Sequence, residues 1–289
     1  MKIQGIGLPF SSHQSSCSNR SPKNFEWTND DAEIEVWMDM KIPEAIGVPI
    51  PKGKKRYAWF CESRAIVPQL RQAFEQENLF KDIIDSYDAI FTCEKELVDK
   101  HDKIHFCFAG SNLPWVEKDE YKIHDKTKLA SFVSSNKRFC KGHNIRHQVY
   151  FTIKNNEVDI DTFGSITGNP FGYRHGCHVE ENPDKRWHDK SEALNDYMFS
   201  IVIENDKYDD YFTEKITDCF ATGTIPVYYG CPNIGKYFNT DGIVILSDGF
   251  DLNSLTSELY YSKMDALEDN FNRVKEMKMA DDMLYEKML

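Results

Sequence analysis

The residue types and spacings best suited to chemistry fall between positions 199 and 230. Phe199-Ser-Ile-Val-Ile-Glu204 is an apolar, β-branched run that reads as a buried strand, and it ends on two polar side chains, Glu204 and Asn205. A polar turn follows. Tyr211, Thr213, Glu214 and Lys215 then lead into a helix that Ile216, Cys219 and Phe220, on one face, predict over 212–222. A helix N-terminus offers unpaired N–H groups and a partial positive charge, which together bind phosphate. The helix dipole disfavours a cation in that turn, so an anionic partner accounts for Lys215. An ordinary surface Glu-Lys pair accounts for the spacing equally well.

The elements that position these residues are legible on either side. Gly223 is a helix stop, and Thr224-Ile-Pro-Val-Tyr-Tyr-Gly230 reads as a second strand. Strand, helix and strand within about 30 residues make a βαβ unit with an expected right-handed crossover. Open parallel sheets bind ligands at the carboxyl ends of their strands, where Glu204 to Lys215 fall. Upstream, a helix is expected over 66–80, a strand opening into a helix over 88–100, and strands over 103–110, 129–134 and 158–165. A further helix is expected from Ile145, and terminal helices from Leu255/Leu259 and Leu267/Phe271/Val274. Residues 1–50 show one strand-like stretch, Ala32-Glu-Ile-Glu-Val-Trp-Met-Asp-Met40, and otherwise read as irregular. The irregular text of 165–190, with Phe171, Tyr173 and Trp187, is expected to shape a pocket. Alternating strands and helices imply an α/β chain built on parallel sheets.

Composition narrows the partners. With 35 Lys and Arg against 47 Asp and Glu, the net charge of −12 repels nucleic acid and anionic lipid, so phosphate binding requires a local basic pocket. The chain shows neither a secretory h-region nor an apolar run long enough to span a membrane, and a cytoplasmic location is expected. Its eight cysteines are scattered without a CxxC pair and read as reduced, packed thiols.

The stretch from Phe199 to Gly230, with Glu204-Asn205, Tyr211-Phe-Thr-Glu-Lys215 and Gly223-Thr-Ile-Pro-Val-Tyr-Tyr-Gly230, resembles the α1,3-fucosyltransferase signature of glycosyltransferase family 10. A second block, from Phe132-Val-Ser-Ser-Asn136 through Gly142 and Arg146 to Val158-Asp-Ile-Asp-Thr-Phe-Gly164, is similar to another segment of that family. The two blocks cover about residues 130–250 in the family's order. The resemblance implies a GT-B architecture of two Rossmann-like parallel-sheet domains with a cleft between them. The expected division is an acceptor-side domain over 1–127, a nucleotide-sugar domain over 128–265 and a C-terminal helix over 266–289. It further implies inverting transfer of fucose from GDP-fucose to a carbohydrate acceptor hydroxyl, with no metal or other cofactor. Arg146 and Lys215 would hold the diphosphate, Asn205 and Tyr211 would line the phosphate site, and Glu214 would bind the donor near the ribose or sugar. Asp206 departs from the family, which often carries a small hydroxyl residue there, and residues 1–50 match only weakly.

Inverting transfer needs a base for the acceptor hydroxyl proton. Glu62, at the carboxyl end of the strand-like Tyr57–Cys61 run, is the candidate, and it is similar to the family's Glu-Ser segment carrying the proposed base. Helix capping together with Ser63 is the competing reading, and Glu94 is the second candidate base. Three other patterns point elsewhere and are set aside. Gly230-Cys-Pro-Asn-Ile-Gly-Lys236 has phosphate-loop spacing, but Tyr237 stands where a magnesium-binding hydroxyl is needed. Asp159-Ile-Asp161 mimics a metal-binding pair, and His175-Gly-Cys177-His178 with His188 lacks the paired spacing of zinc sites. Rival functions are the same scaffold with another nucleotide sugar, an exostosin-like relative, an inactive carbohydrate- or nucleotide-binding protein and, more remotely, a nucleoside-phosphate hydrolase.

Overall fold

Strands alternate with helices along the chain, and the strand pairings among the described residues are all parallel. The computed structural model describes residues 1–7, 15–17, 20–156, 158–168 and 190–289. They form two compact units: the first comprises Met1–Leu113, Tyr208–Thr213 and Lys278–Leu289, the second Pro114–Lys207 and Glu214–Met277. The sequence reading set the boundary at 127/128 and a terminal helix apart at 266. The units divide instead after Leu113, and the chain crosses back twice, because the segments at 208–213 and 278–289 bury their side chains in the first unit.

In unit 1, strands β1 (Lys2–Ile6), β2 (Glu26–Thr28), β3 (Ile34–Met38), β4 (Lys55–Trp59), β5 (Ala89–Thr92) and β6 (Ile104–Phe106) form one sheet in the order β2-β1-β3-β4-β5-β6. The described part of residues 1–50, read as mostly irregular, thus supplies three of these strands. β1 lies inside the sheet, and as a five-residue strand broken by Gly5 it gave little periodic signal. The helix expected over 66–80 is two, α1 (Pro68–Ala73) and α2 (Glu77–Asp85). Between them Phe74 is fully buried, edge-on to Phe60 and Phe80 at 5.1 and 5.8 Å, and tertiary packing of that ring accompanies the break. A short helix α3 (Lys95–Val98) follows β5, and the core gathers Ile42, Ala58, Leu70, Ile83, Ile90 and Leu97. The C-terminal helix Ala280–Met288 completes the unit. Asp281 on it accepts from the Trp27 indole N–H at 2.7 Å and from the Ser16 backbone and hydroxyl.

In unit 2, β7 (Lys128–Val133), α4 (Lys141–Asn155), β8 (Ile160–Phe163), β9 (Tyr197–Ile203), α5 (Glu214–Thr222), β10 (Ile225–Tyr229) and β11 (Val244–Ile245) build a second sheet in the order β11-β10-β9-β7-β8. β9 and β10 are almost continuously apolar and buried, as strands covered on both faces must be. The stop after α5 is a Schellman turn: Thr224 N–H reaches Cys219 O at 2.8 Å and Gly223 N–H reaches Phe220 O at 3.3 Å. Gly223 has φ +73°, and a Cβ there would stand 2.7 Å from Ile123 Cα, so both backbone and space demand glycine. Helices α6 (Ser257–Tyr261) and α7 (Met264–Glu276) follow. Two parallel-sheet α/β domains are thus the architecture, as expected of a GT-B chain. No described helix is long and apolar enough to cross a membrane.

Candidate functional site

β7 and β9 are neighbours in the unit 2 sheet, yet the chain leaves them in opposite directions, through α4 to β8 and through α5 to β10. Open α/β sheets bind ligands at such a switch point, outside the carboxyl ends of the strands. The end of β9 and the first turns of α4 and α5 meet there. Gly142 in the first turn of α4 donates its N–H to Asn205 O at 3.2 Å. A Cβ on it would lie 1.9 Å from Glu204 O, so only glycine lets this helix end approach the strand so closely.

One turn further on, Arg146 is buried and binds the end of β9. Its Nε donates to Ile203 O at 3.0 Å and its Nη2 to Asn205 Oδ1 at 2.9 Å. Lys215, in the first turn of α5, lies 3.5 Å from the fully buried Glu204 carboxylate and 3.4 Å from Glu214. His143 reports the local field. Burial first, and then the charges of Arg146, Lys137, Lys215 and His147, lower its pKa to about 4. Arg146 and Lys215 thus bring two cations to the end of β9, beside the carboxylates of Glu204 and Glu214.

The other expected donor residues divide. Asn205 is half-buried beside Arg146, and Glu214 is buried between Lys215 and Lys190. Lys190 Nζ lies 2.9 Å from Glu214 Oε1 and 2.7 Å from Asp218 Oδ2, while Asp218 Oδ1 accepts the N–H groups of Trp115 and Val116 at 2.6 and 3.0 Å. Burial alone would lower the Lys190 pKa, but the two carboxylates outweigh it and raise it. Tyr211 is carried by the other unit, unit 1, where it is buried with Cys93 and Ala109 and stacks on Tyr208 at 4.8 Å. Arg64 lies 4.4 Å over the Tyr208 ring. A sequence motif carries no information on which domain a loop side chain will enter.

Unit 1 has its own switch point, between β1 and β3. Three successive strands end there or nearby on acids: Asp39 follows β3, Glu62 follows β4 and Glu94 follows β5. Glu94 is buried, 3.2 Å from Arg71 Nε and 3.9 Å from Arg64 Nη1. Glu62 is half-exposed, and its backbone N–H donates to Asp39 Oδ1 at 3.1 Å. Of the two candidate bases, Glu62 alone combines a strand-end position with solvent access.

Sequence reasoning passed over Asp39, His143, Lys190 and Asp218. The signal for Asp39 was present, since a carboxylate at a strand's carboxyl end is what singled out Glu62. Lys190 sits in text without periodicity and had none. Among the patterns set aside, Asp161 accepts from Tyr197 Oη at 2.5 Å, and the Cys231 N–H is taken by Tyr228 Oη at 3.0 Å. Cys17, Cys61, Cys93, Cys107, Cys140 and Cys219 are buried thiols. No cluster of three or more His, Cys, Asp or Glu able to hold a metal ion occurs among the described residues. His175, Cys177, His178 and His188, like Phe171, Tyr173 and Trp187, from which a pocket was expected, lie outside the described residues.

Comparison with known proteins matches residues 123–274, more than half of the chain, to the model of the C-terminal domain of glycosyltransferase family 10 (fucosyltransferase). An α-(1,3)-fucosyltransferase of Helicobacter pylori is 33% identical over 123 residues, 43% of this chain and 22% of that protein. A GDP-fucose protein O-fucosyltransferase 3 of Danio rerio is 36% identical over 90 residues, 30% of this chain and 19% of that protein. The chain thus matches about a fifth of the length of these curated relatives. A crystal structure of an α1,3-fucosyltransferase shares the fold, with a TM-score of 0.51 and 18% identity over 94% of this chain and 81% of the other.

Proposed function

Because the chain belongs to glycosyltransferase family 10, the fucosyltransferases, we propose that it transfers fucose from GDP-fucose to a carbohydrate hydroxyl, with inversion at the anomeric carbon. The observation that carries this reading is the cationic edge at the unit 2 switch point, where Arg146 and Lys215 stand at the N-terminal turns of α4 and α5.

In this reaction the acceptor oxygen attacks the anomeric carbon as the bond from that carbon to the β-phosphate oxygen breaks. GDP leaves with the bonding electron pair, and the acceptor's proton passes to a carboxylate. Negative charge develops on the leaving phosphate, and preorganised cations and N–H groups stabilise it. Lys215 supplies a point charge; Arg146 fixes Asn205 and adds its own charge. These cations do the work that a divalent metal performs elsewhere, so transfer is proposed to need none. Glu62 is the proposed base, a role supported by its strand-end position and its access to solvent.

Calorimetry of GDP binding in EDTA tests the donor site. Lys215→Ala should weaken GDP by about tenfold or more, as loss of a charge-assisted contact does. Wild-type affinity in that variant sinks the assignment. Stronger stabilisation by UDP than by GDP moves the chain to another donor class. Transfer assays with glycan and peptide acceptors then define what receives the sugar.

A further inference from the structure

Asp39 is the first residue after β3, at the unit 1 switch point, and it takes an uncommon conformation there. Its φ is +48°, in the left-handed region that aspartate and asparagine tolerate better than most residues. The turn is tightly held: a Cβ on Gly7, at the end of β1, would stand 2.4 Å from Lys41 Cγ and 3.2 Å from Met38 O. This backbone aims the Asp39 side chain across to the end of β4. Oδ1 accepts the N–H of Cys61 at 3.0 Å and the N–H of Glu62 at 3.1 Å. Oδ2 is buried and has no hydrogen-bond partner among the described residues, and the whole residue is 6% exposed.

We propose that Asp39 is the positioning residue for Glu62, its Oδ1 fixing the backbone that presents Glu62 and its Oδ2 carrying a proton while the Glu62 carboxylate is ionised. The inference rests on Glu62 as the base of the proposed reaction. A buried carboxylate oxygen without a partner is costly when charged, and protonation removes that cost. The surroundings agree. Burial, with the charge of Glu62 adding to it, pushes the Asp39 pKa up to about 7 against the opposing pull of the two backbone N–H groups. Among the described residues, the titratable groups acting on the adjoining Cys61 thiol are Asp39, Asp281, Glu62 and the Cys107 thiol, all acids, while Lys41 on Asp39's own turn is engaged by Glu44 at 2.8 Å. Two acids in one site share their titration, so the proton on Asp39 keeps the second negative charge away from the base.

Asp39→Asn separates the two duties. Asparagine tolerates the left-handed turn, its Oδ1 accepts the same two N–H groups, and its amide imitates the protonated acid. Fucose transfer by the full chain is then followed from pH 5 to 9. Wild type should show an inflection in kcat near pH 7 that Asp39→Asn lacks, with kcat at pH 6 within about threefold of wild type. Asp39→Ala should lose about tenfold or more in kcat with little change in the KM for GDP-fucose, and Asn at the same position should restore it. Wild-type activity in Asp39→Ala, or an unchanged inflection in Asp39→Asn, overturns the proposal. A second measurement is independent of turnover. With carbon-13-labelled aspartate, the Asp39 carboxyl should titrate near neutral pH, and Glu62→Gln should lower that midpoint by about half a unit or more. An unmoved midpoint ends the pairing. If wild type transfers no fucose while the midpoint moves, the reading of function fails and the carboxyl pair stands.

Discussion

The carboxyl-end edges of the two sheets both gather acids, and they neutralise them by different chemistry. At the unit 2 edge Glu204, Glu214 and Asp218 lie at ion-pairing distance from lysines, Lys215 and Lys190, and the charge of Lys190 opposes the burial that raises the Asp218 pKa. At the unit 1 edge Asp39 and Asp281 are held by N–H and O–H donors, and burial raises the pKa of each. An edge built of ion pairs maintains fixed charges through which an anion is met. An edge whose buried acids meet hydrogen-bond donors in place of cations favours the protonated form more strongly. The difference suits a donor phosphate on one unit and a hydroxyl to be deprotonated on the other.

The contrast is open to attack where its effects are largest. Lys190→Ala leaves Glu214 and Asp218 buried without their shared cation, and thermal or denaturant unfolding should show a loss of about 3–5 kcal/mol. A loss under 1 kcal/mol would mean the ion pairs of unit 2 are incidental. Glu62→Gln should cut fucose transfer about 100-fold or more yet leave GDP affinity unchanged, since the proposed base and the proposed phosphate site belong to different units. Equal losses in both would merge the two roles. Lys215→Ala should weaken GDP by about 1.5–2 kcal/mol and, because one charge of the edge is gone, soften the salt dependence of binding.

The remaining effect concerns pH. The Asp39 carboxyl moves from 3.8 to about 7, so its contribution to stability is fully present below about pH 4 and is lost as pH rises through about 7. Melting temperatures should therefore fall across that window, and Asp39→Asn should flatten the fall, gaining a few degrees at pH 8 and about none at pH 4. Parallel pH profiles for the two proteins would contradict a protonated Asp39.

The β9–α5–β10 unit was readable because its signals are local. A β-branched run, a helical stripe and Gly223 state strand, helix and stop without reference to the rest of the chain. Arg146, Asn205, Glu214 and Lys215 assemble around the end of β9 for the same reason, each one lying next to an element the pattern defines. What stayed hidden depends on distant partners. Tyr211 is buried against Cys93 and Ala109, residues more than a hundred positions upstream, and no local pattern announces that packing. Asp39 looks like an ordinary strand end until Cys61 and Glu62 arrive above it. The single helix expected over 66–80 became two where Phe74 turns inward between Phe60 and Phe80, a demand no helical propensity encodes.

The twofold crossing of the chain has a bearing on synthesis. Residues 114–207 and 214–277 make unit 2 as nearly one stretch, whereas unit 1 also draws on 278–289. Within those last residues Asp281 takes the Trp27 indole and the Ser16 hydroxyl, the Met288 carbonyl takes the Tyr57 hydroxyl at 2.9 Å, and the Lys278 carbonyl and Ala280 N–H close on the Asn112 amide. A nascent chain emerging N-terminus first therefore exposes most of unit 1 long before the helix that seals it. A ribosome stalled or a protease cutting near residue 278 would thus spare unit 2 and strand unit 1 open.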